Sequence, residues 1–296
     1  MKKIIIKESQ YKSIKKYLNE ISNRSYIFDW DDNILFMPTK IKMDKNKGGN
    51  WVPINVSTEE FAQVRTNPEY RLRGNNVDVA FENFKLTDSF LNDTIEAIRN
   101  KSFAPSFDKF KEALIYGNKF AINTARGHKP EALKQGVKIF IDLVLTDEEK
   151  QTMVNNIRKN IPYNVRGYQK LKAGSLNSNQ IIDLYLNEFG EYYPVSSEEF
   201  GKRFNLDTTS GASNPEHAKK VAIEHFTQKV LRNVQKLIGS MYYTKVSIGF
   251  SDDDIRNIKA SKDFIENELK YMYPEIHFVV YDTSEGDKKK LVIEKD

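Results

Sequence analysis

The chain of 296 residues contains no cysteine. Disulfides, thiolate zinc sites and cysteine nucleophiles are therefore excluded, and a reducing compartment is permitted. Histidine is scarce: His128, His217, His225 and His277 form no H-E-x-x-H pair, which argues against a histidine-rich metal site. Long apolar runs are also missing. The opening MKKIIIKESQ carries too short an apolar stretch for a secretory signal, and no later segment reaches bilayer length. A cytoplasmic location with no membrane association is the default expectation. There is no internal repeat and no low-complexity tract.

What is present fits a folded chain: 39% hydrophobic and 29% charged residues. The net charge of +5 is a mild excess that a lysine-rich solvated surface explains, although it also suits anionic substrates or nucleic acid. The length allows one large domain, or a core with a second unit inserted.

The most informative stretch is Ser25 to Met37, SYIFDWDDNILFM. Tyr26, Ile27 and Phe28 deliver Asp29, Asp31 and Asp32, and Ile34, Leu35 and Phe36 follow, as in a buried strand ending at a polar crevice. Carboxylates this close repel one another, and a cation among them, most simply a hard metal ion, would let them stay ionised. A solvated acidic turn fits poorly between apolar flanks. A calcium loop needs glycine and glutamate where Ile34 and Lys40 stand. A nucleophilic carboxylate beside an acid/base carboxylate on one magnesium ion remains, the arrangement that makes an aspartyl-phosphate.

The rest of the chain reads as strands alternating with helices, which predicts an α/β fold with a Rossmann-like parallel sheet flanked by helices. Residues 1–24 read as an N-terminal strand and helix. Residues 40–105 read as a small mixed insertion after the first core strand: a hairpin around Asp44 to Asn50, a helix capped by Ser57 and Glu60, and Trp51 as core anchor. Residues 25–39 and 106–296 form the core. Within it, Ser106 reads as a helix cap, VKIFIDLVL fits a strand or a buried helix equally, and Lys288 to Lys290 read as a solvated run. Three predicted strands end in chemically loaded turns: Asp29/Asp31, Thr124, and Asp252/Asp253. In a parallel sheet these ends share one edge, and two acidic pairs plus a hydroxyl there suit magnesium-dependent phosphoryl chemistry.

These segments resemble the motifs of the haloacid-dehalogenase-like (HAD) superfamily of phosphatases and phosphotransferases. Asp29-Trp30-Asp31-Asp32-Asn33 looks like the first motif, Thr124-Ala125-Arg126-Gly127 like the second, and Asp252-Asp253 through Asn257 like the fourth. The resemblance implies a phosphate-ester hydrolase (phosphoric monoester hydrolase) with Mg2+ as cofactor and the insertion as a cap or flap. Asp29 would be the nucleophile. Asp31 would be the acid/base, its backbone carbonyl helping to hold magnesium. Thr124, with Ala125 and Arg126, would contact the phosphoryl group or substrate. Asp252 and Asp253 would bind the metal, with Asp254 as an alternative if the turn shifts by one. The family's third motif, a charge-balancing lysine, falls on Lys219 or Lys220. Asn33 stands where the family has Thr or Val and would support the turn. Arg126 reads equally as a surface arginine, and His128 as a polar loop residue. The implied substrate is a phosphorylated metabolite or a nucleic-acid end, although no aromatic-basic motif singles out nucleic acid. The rival readings are a non-catalytic structural protein of the same fold and a nucleic-acid-binding protein.

Overall fold

Residues Ser25 to Phe28 are buried on both faces, as a central strand with layers on either side requires. In the computed structural model this segment is β1 (Arg24–Phe28). The structure describes residues 24–160, 167–172, 174–206, 215–238, 246–285 and 289–292. Most of the expected N-terminal extension, and residues 207–214, lie outside the described residues.

The remaining strands are β2 (Ile41–Lys47), β3 (Asn50–Val56), β4 (Tyr70–Leu72), β5 (Lys119–Thr124), β6 (Gly190–Pro194), β7 (Val246–Asp252), β8 (Ile276–Asp282) and β9 (Lys289–Val292). The main sheet has the order β6-β5-β1-β7-β8-β9. Its first five members are parallel, and β9 joins antiparallel to β8. The predicted parallel α/β sheet with flanking helices is what forms. From β1 the chain runs outward to β5 and β6, then returns to β7 on the other side of β1. The carboxyl ends of β1, β5 and β7 therefore border the switch in strand order, where open α/β sheets form a crevice.

Alternation along the strands separates two cores. Tyr26 and Phe28 of β1 face a layer containing Phe110, Phe140 and Leu133, whereas Ile27 faces Phe226, Ile248 and Phe250. Ala218, Ala222, Phe226 and Val230 repeat at helical spacing, so the helix Pro215–Ile238 presents an apolar stripe to the second face. VKIFIDLVL belongs to the helix Pro130–Val144, ending the ambiguity between strand and helix. Pro194 ends β6, a strand at the sheet edge where a missing N–H costs least.

The segment after β1 forms a separate three-stranded sheet, β3-β2-β4, over its own small core of Ile41, Met43, Val56 and Phe84. Gly48 and Gly49 both have positive φ (61° and 90°) and make the tight turn between β2 and β3. The strands thus run further into the lysine-rich segment than its composition suggests. Trp51 is not the anchor of this unit. Val52, Ile54 and Val56 take the inward positions of β3, which leaves Trp51 outward, 36% exposed, with the Arg71 guanidinium 4.1 Å from its ring. Tyr70–Leu72 is strand because it pairs with β2. Lys289 and Lys290, expected as a solvated run, pair along β8 as part of β9.

The first core is tight enough to reject a methyl group. A Cβ at Gly136 would meet Phe90 Cε1 at 2.6 Å and Cζ at 2.9 Å, and Phe90 is itself fully buried between Trp30 and His128. Alanine is a better helix former than glycine by about 1 kcal/mol, but forcing the ring aside costs about 1–3 kcal/mol. Gly136→Ala is expected to lower stability by about 1 kcal/mol; an unchanged or raised midpoint in chemical denaturation would show that the ring has room to move.

Candidate active site

β1 and β7 are neighbours in register, so the residues that follow them emerge side by side. Asp29 continues the ladder by donating its N–H to the Ser251 carbonyl at 3.0 Å. The chain then turns sharply: Asp32 adopts φ 53°, and Ile34 bonds back to Trp30. Asn33, fully buried, holds this turn. Its amide donates to the Asp29 carbonyl (3.1 Å) and to the Ser251 carbonyl (3.2 Å) and hydroxyl (2.9 Å). Its oxygen accepts from the Thr283 hydroxyl at 3.0 Å. The turn-supporting role expected of Asn33 is the one its contacts show.

Carboxylate oxygens of Asp29, Asp252 and Asp253 all lie within 4.8 Å of one another. Lys219, fully buried, places its Nζ 2.6 Å from Asp29 Oδ2 and 2.6 Å from Asp252 Oδ2. Asp29 Oδ1 accepts from the Trp30 N–H at 2.7 Å. Asp252 Oδ1 accepts from the Asp254 N–H and the Asn257 amide, both at 3.0 Å. Of the two candidate lysines, only Lys219 reaches the carboxylates. Lys220, one residue and about 100° further round the helix, lies with its Nζ 5.7 Å from the Phe264 ring centroid. Asp254 is also excluded from the cluster: it caps the helix Ile255–Phe264 and pairs with Arg256.

Asp31 stands apart from this group. Arg126 binds it through Nε and Nη2 (2.9 Å and 2.6 Å), and the Thr124 hydroxyl lies 3.3 Å from Oδ2. Its side chain is therefore not among the clustered oxygens; Ala125, the residue after Thr124, is exposed. Arg126 is no surface residue. It is fully buried, donates to the Thr39 hydroxyl at 2.7 Å and lies against the rings of Phe84 and Phe90. His128 is likewise buried, not a polar loop residue, with its ring 4.5 Å from that of Phe90. Both were illegible in the sequence because the groups that cover them, Phe84 and Phe90, come from the insertion, Phe90 from its helix Thr87–Arg99. Ser251, Thr283 and Ser106, whose hydroxyl lies 3.2 Å from that of Ser251 rather than capping its helix, carry no sequence signal of their own.

Burial pushes Asp29 up to about 7, with Asp252 and Asp31 adding to it and Lys219 opposing. Burial, then Asp252 and Asp29, raises Asp253 well above the usual carboxylate range. Burial works against charge on Lys219, but Asp252 and Asp29 together outweigh it and raise its pKa. Lys219 alone thus does not keep all three carboxylates ionised; their hard oxygen donors suit a divalent cation such as magnesium, which would let them give up their protons.

Comparison of the chain with protein-family models, with curated proteins and with solved structures finds no match. Among the described residues, no helix is long and apolar enough to cross a membrane.

The burial of His128 has a measurable consequence. Burial, reinforced by Arg126, lowers its pKa from 6.5 to about 4. Below pH 6.5 the unfolded chain takes up a proton that the folded chain refuses until about pH 4, so stability falls as pH drops through that window. The full effect amounts to about 3 kcal/mol. In denaturant titrations across this range, His128→Phe is expected to lose that part of the pH dependence. Equal pH slopes for the two proteins would refute the assignment.

Proposed function

We infer that the chain is a magnesium-dependent phosphate-ester hydrolase of the HAD type, working through an aspartyl-phosphate. The observation that carries this reading is the meeting of Asp29, Asp252, Asp253 and Lys219 at the carboxyl edge of a parallel sheet. Asp29, Asp252 and Asp253, with the main-chain carbonyl of Asp31, would hold the metal. When bound, it supplies charge neutralisation for the phosphate and its carboxylate neighbours.

Asp29 attacks phosphorus, and the bond to the ester oxygen breaks. Asp31 gives its proton to the departing oxygen, then takes one from the water that attacks the phospho-enzyme, which releases inorganic phosphate and restores Asp29. Lys219 holds Asp29 through Oδ2 and limits the repulsion between it and Asp252. Thr124, whose hydroxyl lies 3.3 Å from Asp31 Oδ2, would bond a phosphoryl oxygen. Arg126 positions Asp31 and does not itself meet the substrate.

The insertion fits a cap or flap. Its Thr58 hydroxyl bonds the Asp32 carboxylate, and its Phe84 carbonyl accepts from the Gly127 N–H at 3.1 Å, so it is tied to both loops that carry site residues. The substrate class is a phosphate monoester, on a small metabolite or at a nucleic-acid end. One observation favours the non-catalytic reading: Arg126 and Thr124 occupy both oxygens of Asp31.

Kinetics separate the two. Asp29→Asn is expected to abolish magnesium-dependent turnover of an aryl phosphate while circular dichroism stays unchanged. Asp31→Asn, given an aryl ester whose leaving group needs no proton, is expected to accumulate a hydroxylamine-labile phospho-enzyme and to turn over about 10²–10⁴-fold more slowly. Wild-type protein without magnesium-dependent turnover on a broad phosphate-ester panel would establish the non-catalytic alternative.

A further inference from the structure

The helix Pro215–Ile238 begins at the carboxylate cluster and carries a second group of charges further on. At about 1.5 Å per residue, Lys229 lies about 15 Å beyond Lys219 along the axis. His225, Lys229, Arg232 and Asn233 fall on one face of this helix, at spacings of four, three and one residues. Arg203, from the helix Glu198–Phe204, closes over them. Together these five side chains line a cavity of about 270 Å³.

The charges around this cavity do not balance. Arg203, Lys229 and Arg232 are three cations, whereas two carboxylates act on them: Glu191 on β6, itself only 8% exposed, and Glu188, which acts on Lys229. Lys229 pairs with Glu191 Oε1, and Arg203 Nη2 lies 3.8 Å from Oε2. Arg232 donates through Nε to the Gln228 carbonyl at 3.4 Å, a backbone group that carries no net charge. His225 adds no cation of its own. Arg203 Nη2 is 3.3 Å from its Nε2, and an arginine only donates, so Nε2 accepts and Nδ1 carries the proton. Nδ1 then donates to the Tyr193 hydroxyl at 2.8 Å, which donates in turn to Glu191 at 3.3 Å. The chain of bonds uses Glu191 from both sides and leaves positive charge in excess.

That excess is felt by the groups around it. Burial, then Arg203 and Arg232, pushes His225 down to about 4, and burial with Lys229 pushes Lys119, at the start of β5, down to about 7. Two guanidinium forks, a lysine ammonium and the Asn233 amide converge on one hollow large enough for a small anion, and guanidinium geometry matches phosphate oxygens.

The geometry points to a second anion site: the hollow formed by Arg203, His225, Lys229, Arg232 and Asn233 takes a phosphate group, along the middle turns of the helix and about 15 Å from Lys219. That phosphate belongs either to a free phosphorylated small molecule or to a nucleic-acid backbone.

The test uses the full chain at low salt with a chelator present, so that the carboxylate cluster holds no metal through which a phosphate could bind there. Pyrophosphate is titrated calorimetrically, and a fluorescent single-stranded oligonucleotide is followed by anisotropy. Arg203 and Arg232 are solvent-accessible, so Arg203→Gln/Arg232→Gln is expected to keep the wild-type melting temperature; Lys220→Gln removes a cation from nearer the start of the same helix. The expected result is binding of at least one probe, weakened about tenfold or more in the double variant and unchanged in Lys220→Gln. Pyrophosphate binding that displaces the oligonucleotide supports a free phosphorylated ligand. Oligonucleotide binding that pyrophosphate does not displace supports the polymer backbone. Absence of binding by both probes, equal affinity in the double variant, or equal weakening by Lys220→Gln overturns the assignment.

Discussion

Lys219 reaches no solvent, and its ammonium lies 2.6 Å from a carboxylate oxygen of each of two strands. Taking such a charge out of water costs several kcal/mol, recovered only where partners surround it with good geometry. Asp29 follows β1 and Asp252 ends β7, so those strands must be neighbours and parallel. The helix carrying Lys219 must then lie on the face where its first turns reach the ends of those two strands, and there it packs against β5 as well. Sheet order and helix placement are thus bound to one ammonium group, and the same contact brings Asp29, Asp252 and Asp253 together.

A second buried cation organises the other half of the site. Arg126 is held by Asp31 and Thr39 and flanked by Phe84 and Phe90. Asp31 belongs to the turn after β1, Thr39 to the exit from that turn, Phe84 to the small three-stranded unit of the insertion and Phe90 to the insertion's helix Thr87–Arg99. The two cations divide the acids between them: Lys219 gathers those of β1 and β7, while Arg126 draws Asp31 towards the insertion. This division explains why Asp31 lies outside the carboxylate cluster although it is only two residues from Asp29.

The strand ends were legible because an apolar run stopping at acids or a threonine carries a local signal at Phe28–Asp29, Asn123–Thr124 and Phe250–Asp252. Alternation of strands and helices then placed those ends on one edge. Local signals failed where a distant partner decides the outcome. Lys219 and Lys220 are adjacent and chemically identical, and only the rotation of their helix against the sheet separates them. Arg126 and His128 look like surface residues until Phe84 and Phe90 are brought over them. Trp51 is the opposite case: the alternation of Val52, Ile54 and Val56 was present in the sequence, and residue size was given more weight than phase.

Beneath the acids, Asn33, Ser106, Ser251 and Thr283 form a knot of hydrogen bonds whose members are as many as 250 positions apart along the chain. Bringing such remote segments together is slow, because the entropy of closing long loops is lost before the contacts reward it. The turn that aims Asp29 therefore acquires its full set of partners only after β8 has docked and Thr283 has arrived. A nascent chain emerging from the ribosome holds its acids without the scaffold that aligns them, and the centre assembles as one of the last acts of folding.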